Sequence, residues 1–215
     1  MTPADIAHVR TFIFDLDNTL YAPETGLMDR MNHQMTEYLQ QLMSLSVEDA
    51  VEMRHRYWKS HGTTLNGLMQ EHGIDPLPFM DYVHKVDLSP LNPCAQTRAR
   101  LQALDGRRII FTNADKAHAD RVLHRLGLAD LFAEIYDVSR CGWRPKPYRE
   151  PYELILREMG EAPTACLMVE DHAPNLEPAH ALGMTTVLIA PQPSAAAYVH
   201  HTAPTLTTWL EGVTP

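Results

Sequence analysis

The sequence predicts an α/β protein whose core is a doubly wound, Rossmann-like parallel sheet carrying an inserted helical cap. Three observations carry that expectation. Short apolar runs at Val9 to Asp15, Arg108 to Thr112, Ala165 to Val169 and Thr185 to Ile189 have the length and composition of buried strands. Helical spacing fills the segments between the later runs, and strands alternating with helices imply a parallel sheet covered on both faces. Between the first run and the second lies a Met- and His-rich stretch, roughly Gly26 to Leu88, whose patterning is helical throughout.

In chain order, Val9 to Asp15 is a strand running into a polar cluster at its carboxyl end, where sheets of this type place their ligands. Amphipathic patterns follow at Met28 to Leu42, Val47 to Trp58, Leu65 to His72 and Pro78 to Val86, and these make up the cap. The segment Asp87 to Pro93 contains two prolines, Pro90 and Pro93, and is a candidate hinge back to the main domain. The expected division is therefore a core of residues 1–21 and 89–215 and a cap of residues 22–88. Helices are expected at Ala114 to Leu126, at Glu150 to Met159 and, despite the internal Pro178, at Ala173 to Leu182. A loop from Pro191 to Ala197 precedes one short helix around Thr207 to Glu211. No internal repeat or low-complexity tract interrupts the pattern.

Composition narrows the classes of partner. With 215 residues and 45% apolar content the chain can bury a substantial core, and its formal charge of −9 disfavours binding to nucleic-acid polymers, which requires clustered Lys and Arg. An anionic small molecule would need local positive charge to overcome that field. No apolar run is long enough to span a bilayer, the N-terminus lacks a basic region followed by an apolar stretch, and three cysteines cannot all pair internally. A reducing, cytoplasmic setting with no membrane partner is expected, while the oligomeric state is not encoded in any readable feature. The histidines, including His118, His124, His200 and His201, lack the Cys or His companions of a zinc site and are expected to be solvent-exposed or capping residues.

Chemistry concentrates at Asp15-Leu16-Asp17-Asn18-Thr19, where two carboxylates two residues apart leave a strand end and can approach one cation, with Thr19 placed to orient the second. Carboxylate oxygens suit a hard ion such as Mg²⁺. Taken singly, the later polar positions have ordinary readings. Thr112 could simply terminate a strand, Lys146 between Pro145 and Pro147 could mark a surface turn, and Glu170-Asp171 could open a helix favoured by its dipole.

Their order changes the reading, because the set resembles the haloacid dehalogenase-like superfamily. That resemblance rests on Asp15-x-Asp17-x-Thr19 after a hydrophobic strand, on Phe111-Thr112-Asn113, on Lys146-Pro147 and on Val169-Glu170-Asp171 followed by Asn175. It implies a Mg²⁺-dependent phosphomonoesterase in which Asp15 is the nucleophile and Asp17 the general acid and then base. It further implies a metal held by Asp15, the main-chain carbonyl of Asp17, Asp171 and Glu170, and a phosphoryl group held by Thr112, Lys146 and main-chain N–H groups near Leu16, Asp17 and Asn113. The acid at Asp17 disfavours dehalogenation, since a halide leaves without a proton. A binding protein that keeps the fold without turnover is the alternative from another class, and it is disfavoured because every motif residue is intact.

Within the superfamily, Asp17-Asn18-Thr19-Leu20-Tyr21, the cap segment Tyr57 to Leu68 and the segment Lys146 to Tyr152 resemble the pyrimidine 5′-nucleotidase branch. This implies a small phosphorylated metabolite such as UMP or CMP as substrate, with phosphoglycolate or a sugar phosphate as the alternatives. Tyr21, Tyr57 and Trp58 are candidates to stack on a base, and Asn32, His61 and Asn66 to read its edge.

Overall fold

A computed structural model describes residues 1–214. Its sheet contains six parallel strands in the order β3-β2-β1-β4-β5-β6, formed by β1 (Thr11–Phe14), β2 (Arg107–Phe111), β3 (Glu134–Tyr136), β4 (Cys166–Glu170), β5 (Thr185–Ile189) and β6 (His201–Ala203). Strand side chains alternate between faces. Phe12 and Phe14 accordingly join one apolar cluster with Ile110, Val169 and Trp209, whereas Ile13 joins another with Ile109, Met168 and Tyr152. Both faces are covered, which is why all four residues of β1 are buried and why the strands read as nearly continuous apolar runs.

Around the sheet lie α5 (Ala95–Ala103), α6 (Lys116–Leu126), α7 (Arg149–Met159), α8 (Glu177–Leu182) and α9 (Leu206–Val213). The strands β3 and β6 and the helix α5 add to the expected elements. A second difference concerns Pro178. The stretch from Ala173 divides into a 3-10 turn, Ala173–Leu176, and then α8, with Pro178 in the first turn of the new helix, where its missing N–H costs nothing.

Between β1 and α5 the chain folds into four α-helices, α1 (Leu27–Met43), α2 (Val47–His61), α3 (Thr64–His72) and α4 (Pro76–Val83). Side-chain caps start three of them: the Ser46 hydroxyl accepts from the Asp49 N–H, Thr63 from Asn66 and Asp75 from Leu77. Leu39, Ala50, Tyr57, Leu65, Leu68 and Phe79 are buried in their shared interior. Tyr57 is fully buried there, with its hydroxyl within hydrogen-bond distance of Glu71 and His72, so it is not available to stack on a ligand. The return segment is anchored on both sides: Arg30 pairs with Asp87 at 3.3 Å and Arg125 donates to the Ser89 carbonyl at 3.0 Å. Among the described residues no helix is long and apolar enough to cross a membrane.

Candidate active site

β1 lies where the strand order reverses, with β2 on one side and β4 on the other, so the crevice beyond the carboxyl ends of these strands is the expected ligand site of such a sheet. Each strand delivers one polar group or pair there. Asp15 follows β1, its N–H still donating to the Val169 carbonyl at 2.9 Å, while Thr112 follows β2 and Glu170 ends β4. Asn18 takes the left-handed conformation, φ 62°, which Asn tolerates better than most residues, and the chain turns there just beyond Asp17.

A cavity of about 430 Å³ gathers Asp15, Asp17, Thr112, Asn113, Lys146, Glu170, Asp171 and Asn175 on its core side. Leu16 is the exception among the expected residues: its side chain is fully buried in the apolar core, so the main chain is what it can offer the site.

Lys146 organises the floor. Its ammonium donates to Asp15 Oδ1 at 2.6 Å, Glu170 Oε2 at 2.7 Å and the Phe111 carbonyl at 2.9 Å, using all three of its protons while only 1% exposed. Asn113 braces the same residue through its main chain, accepting from the Lys146 N–H at 2.7 Å and donating to its carbonyl at 3.2 Å. A phosphoryl oxygen reaches the Lys146 ammonium only by exchanging with one of the three present acceptors. Thr112 is differently disposed. Its hydroxyl accepts from the Ala114 N–H at 3.0 Å, which leaves its own proton to donate.

Two corrections concern Asp17. Thr19 does not orient it; the Thr19 hydroxyl is buried without a hydrogen-bond partner among the described residues. Asp17 Oδ1 instead lies 2.6 Å from the Tyr21 hydroxyl and 3.1 Å from His118 Nε2, so Tyr21 is a carboxylate partner rather than a stacking surface. His118 is fully buried, not exposed, and it was missed because a helical His looks the same in sequence on any face. The recoverable signal was Asp115, which caps α6 by accepting from the His118 N–H at 2.7 Å. Asp115 also meets His84 at 2.8 Å, and His84 stacks on His118 with ring centroids 4.3 Å apart, joining the end of α4 to the site. Burial pushes the Asp17 carboxyl up, but the charge and hydrogen bonds of His118, aided by Tyr21, outweigh it and hold the group below the ordinary carboxylate range.

The opposite holds beside it. Burial, then the negative charge of Glu170, raise Asp15 to about 7 against the pull of Lys146; burial, then Asp15, raise Asp171 to about 9. Asp15, Glu170 and Asp171 each offer an oxygen, all within 4.8 Å of one another. Three crowded acids facing one ammonium form a hard-oxygen donor set that lacks positive charge, and a small divalent cation fits it. The Asp17 carboxylate is not in this set, so its carbonyl is the atom through which it could join.

A parallel sheet with a crowded aspartate at the reversal point and an acidic cluster beside it defines an α/β protein with a carboxylate-centred site. The model of the haloacid dehalogenase-like hydrolases matches residues 9–183, and the chain belongs to that family. It is 26% identical over 206 residues to Phosphate metabolism protein 8 of Saccharomyces cerevisiae (strain ATCC 204508 / S288c), covering 83% of this chain and 61% of the yeast protein, so this chain spans about three-fifths of that relative's length. Two solved structures share the fold. A HAD phosphatase from Thermococcus onnurineus superimposes with a TM-score of 0.63 at 17% identity, covering 94% of this chain and 97% of its own. An L-2-haloacid dehalogenase from Xanthobacter autotrophicus, with chloropropionic acid covalently bound, gives 0.60 at 15% identity over 94% and 97%. Identities this low speak to the fold alone, and the chemistry has to come from the site.

Proposed function

We propose that this hydrolase is a Mg²⁺-dependent phosphomonoesterase working through a phosphoaspartate on Asp15, with pyrimidine nucleoside 5′-monophosphates such as UMP and CMP as substrates. The observation that carries the reading is the second carboxylate, Asp17, open to the same cavity as Asp15 and held by two separate donors. A displaced halide needs no proton, whereas a displaced alkoxide does.

In the first step an Asp15 oxygen attacks phosphorus, the P–O bond to the alcohol breaks and Asp17 gives its proton to the departing oxygen. At rest Asp17 is the charged partner of His118 and Tyr21, the form suited to a base. An incoming phosphate dianion adds negative charge nearby and raises its affinity for the proton it must donate. In the second step Asp17, now a carboxylate, takes a proton from water as that water attacks the phosphorus and releases Asp15. Lys146 keeps Asp15 in place and offsets its charge, and the Thr112 hydroxyl with the main-chain N–H groups near Leu16, Asp17 and Asn113 holds phosphoryl oxygens. Mg²⁺ bound by Asp15, Glu170, Asp171 and the Asp17 carbonyl would supply the positive charge that lets an anion approach a phosphate. The cytoplasmic setting and the core and cap boundaries belong to the same reading.

The cap side supports a planar leaving group. Trp58, 51% exposed, lines the cavity with its ring centroid 5.2 Å from that of His172, and Met28, Met31 and Met35 add apolar wall. Asn66 is committed elsewhere, to the His61 carbonyl and Gln70, and the His61 ring pairs with Glu71. Phosphate release from UMP, CMP, dTMP, AMP, GMP, phosphoglycolate and sugar phosphates, with Mg²⁺ and with EDTA, tests the proposal. EDTA-sensitive release favouring the pyrimidine nucleotides is expected; preference for another ester removes the substrate class, and release unaffected by EDTA removes the metal.

A further inference from the structure

The cap places one cation against the cavity that the chemistry above does not use. Arg54, on α2, lines it without forming an ion pair to any described residue. One guanidinium nitrogen, Nη1, donates to Asn32 Oδ1 at 2.6 Å, Nη2 lies 3.1 Å from His55 Nε2, and Nε is buried with no partner among the described residues. In a chain of net charge −9, a half-buried guanidinium with no carboxylate partner among the described residues has hydrogen-bonding capacity and charge left unmatched.

The neighbouring amide sharpens what would satisfy it. A guanidinium can only donate, so the Asn32 oxygen must be the atom that faces Arg54, and the Asn32 NH₂ is left without a partner among the described residues, on a residue that also lines the cavity. Arg54 and Asn32 together therefore present donors and no acceptor. Besides His55, the same cavity carries apolar side chains, Met31 and Met35 on the helix of Asn32 and Phe79 on α4. Such a patch selects a flat, largely apolar group whose edge carries acceptors, because a buried donor pair left unmatched penalises every ligand that lacks them.

We infer that Arg54 and Asn32 form the specificity site of this enzyme, reading acceptor atoms on the edge of a pyrimidine ring: O2 and N3 of cytosine, or the two carbonyl oxygens of uracil. The inference rests on the phosphomonoesterase reading and narrows it, since it assigns base selection to these two cap residues.

The test compares UMP with ribose 5-phosphate, which offers the same ester without the base. For the wild-type protein with Mg²⁺, kcat/KM on UMP exceeds that on ribose 5-phosphate. Arg54→Gln reduces this ratio at least tenfold, chiefly through KM for UMP. Asn32→Asp, which gives Arg54 a carboxylate partner and removes the amide donors, lowers it in the same direction and guards against a folding defect in the first variant. A ratio unchanged in both variants, or one already near unity in the wild type, overturns the inference while leaving the phosphatase reading standing wherever ribose 5-phosphate is hydrolysed. Calorimetric binding of UMP to Asp15→Asn protein, with and without Arg54→Gln, reads the same contact without turnover. At least tenfold weaker binding in the double variant supports the inference, and equal binding overturns it even if the enzyme hydrolyses neither ester.

Discussion

At the scale of single residues, the site separates two carboxylates two positions apart by giving them opposite surroundings. Asp15 sits among other acids and is pushed up to about 7, while Asp17 is held low by His118 and Tyr21 once their effect overcomes burial. That contrast suits one to metal and nucleophile and the other to proton transfer. Asp17→Asn keeps the shape of the side chain but removes its proton chemistry, so kcat on the preferred ester should fall by roughly 10²–10⁴-fold with the fold intact. Turnover within a few fold of wild type, with unchanged circular dichroism, would take the acid and base role away from Asp17. Asp15, Thr112 and Glu170 were legible because each closes an apolar run, and Lys146 through its order among them; their partners were not. His118 lies 101 positions from Asp17 and meets it through the packing of α6, and the missing Thr19 contact shows that adjacency in a motif does not settle which side chain orients which.

At the scale of elements, the cap depends on close helix contacts. Gly67 on α3 faces Tyr57 on α2, and a methyl group there would overlap the Tyr57 Cβ and Cγ atoms. Gly67→Ala, which on helix propensity alone would stabilise α3, is expected to destabilise the protein by about 1–3 kcal/mol. An unchanged or raised melting temperature would contradict this packing. Elements with strong periodicity were visible in the sequence: the four cap helices and the strands β1, β2, β4 and β5 lie where apolar spacing placed them. What escaped was short or locally ambiguous. β3 and β6 have three residues each, β6 begins with two partly exposed polar residues, and α5 carries five exposed residues, Ala95, Gln96, Ala99, Gln102 and Ala103, that blur its apolar face. Such strands are made by the neighbour they pair with rather than by their own pattern.

At the scale of the whole molecule, the crowded acids of the floor make stability depend on pH, and the proposed Mg²⁺ would offset that dependence. Asp171 binds its proton more tightly in the folded state, with a value of about 9 against an ordinary 3.8, so the native protein holds more protons than the unfolded chain across that interval and stability declines as pH rises. His84, His172, His200 and His201 are depressed, mainly by burial, and work in the other direction below their ordinary 6.5. The interval from about pH 7 to 9 is therefore where Asp171 shows most clearly, with a slope of at most roughly 1.4 kcal/mol per pH unit. Metal-free protein should lose stability over that interval, Mg²⁺ should restore it, and Asp171→Asn should flatten the slope; a metal-free protein that gains stability there would contradict the account. In the proposed mechanism Asp15 carries the phosphoryl group, and trapping that phosphoaspartate reads it without inference from rates. Protein turning over its best ester with Mg²⁺ is quenched, reduced with borohydride and mapped by mass spectrometry. Conversion of residue 15 to homoserine, dependent on substrate, is the result expected; an unmodified Asp15 during sustained turnover, or homoserine at another aspartate, would contradict it.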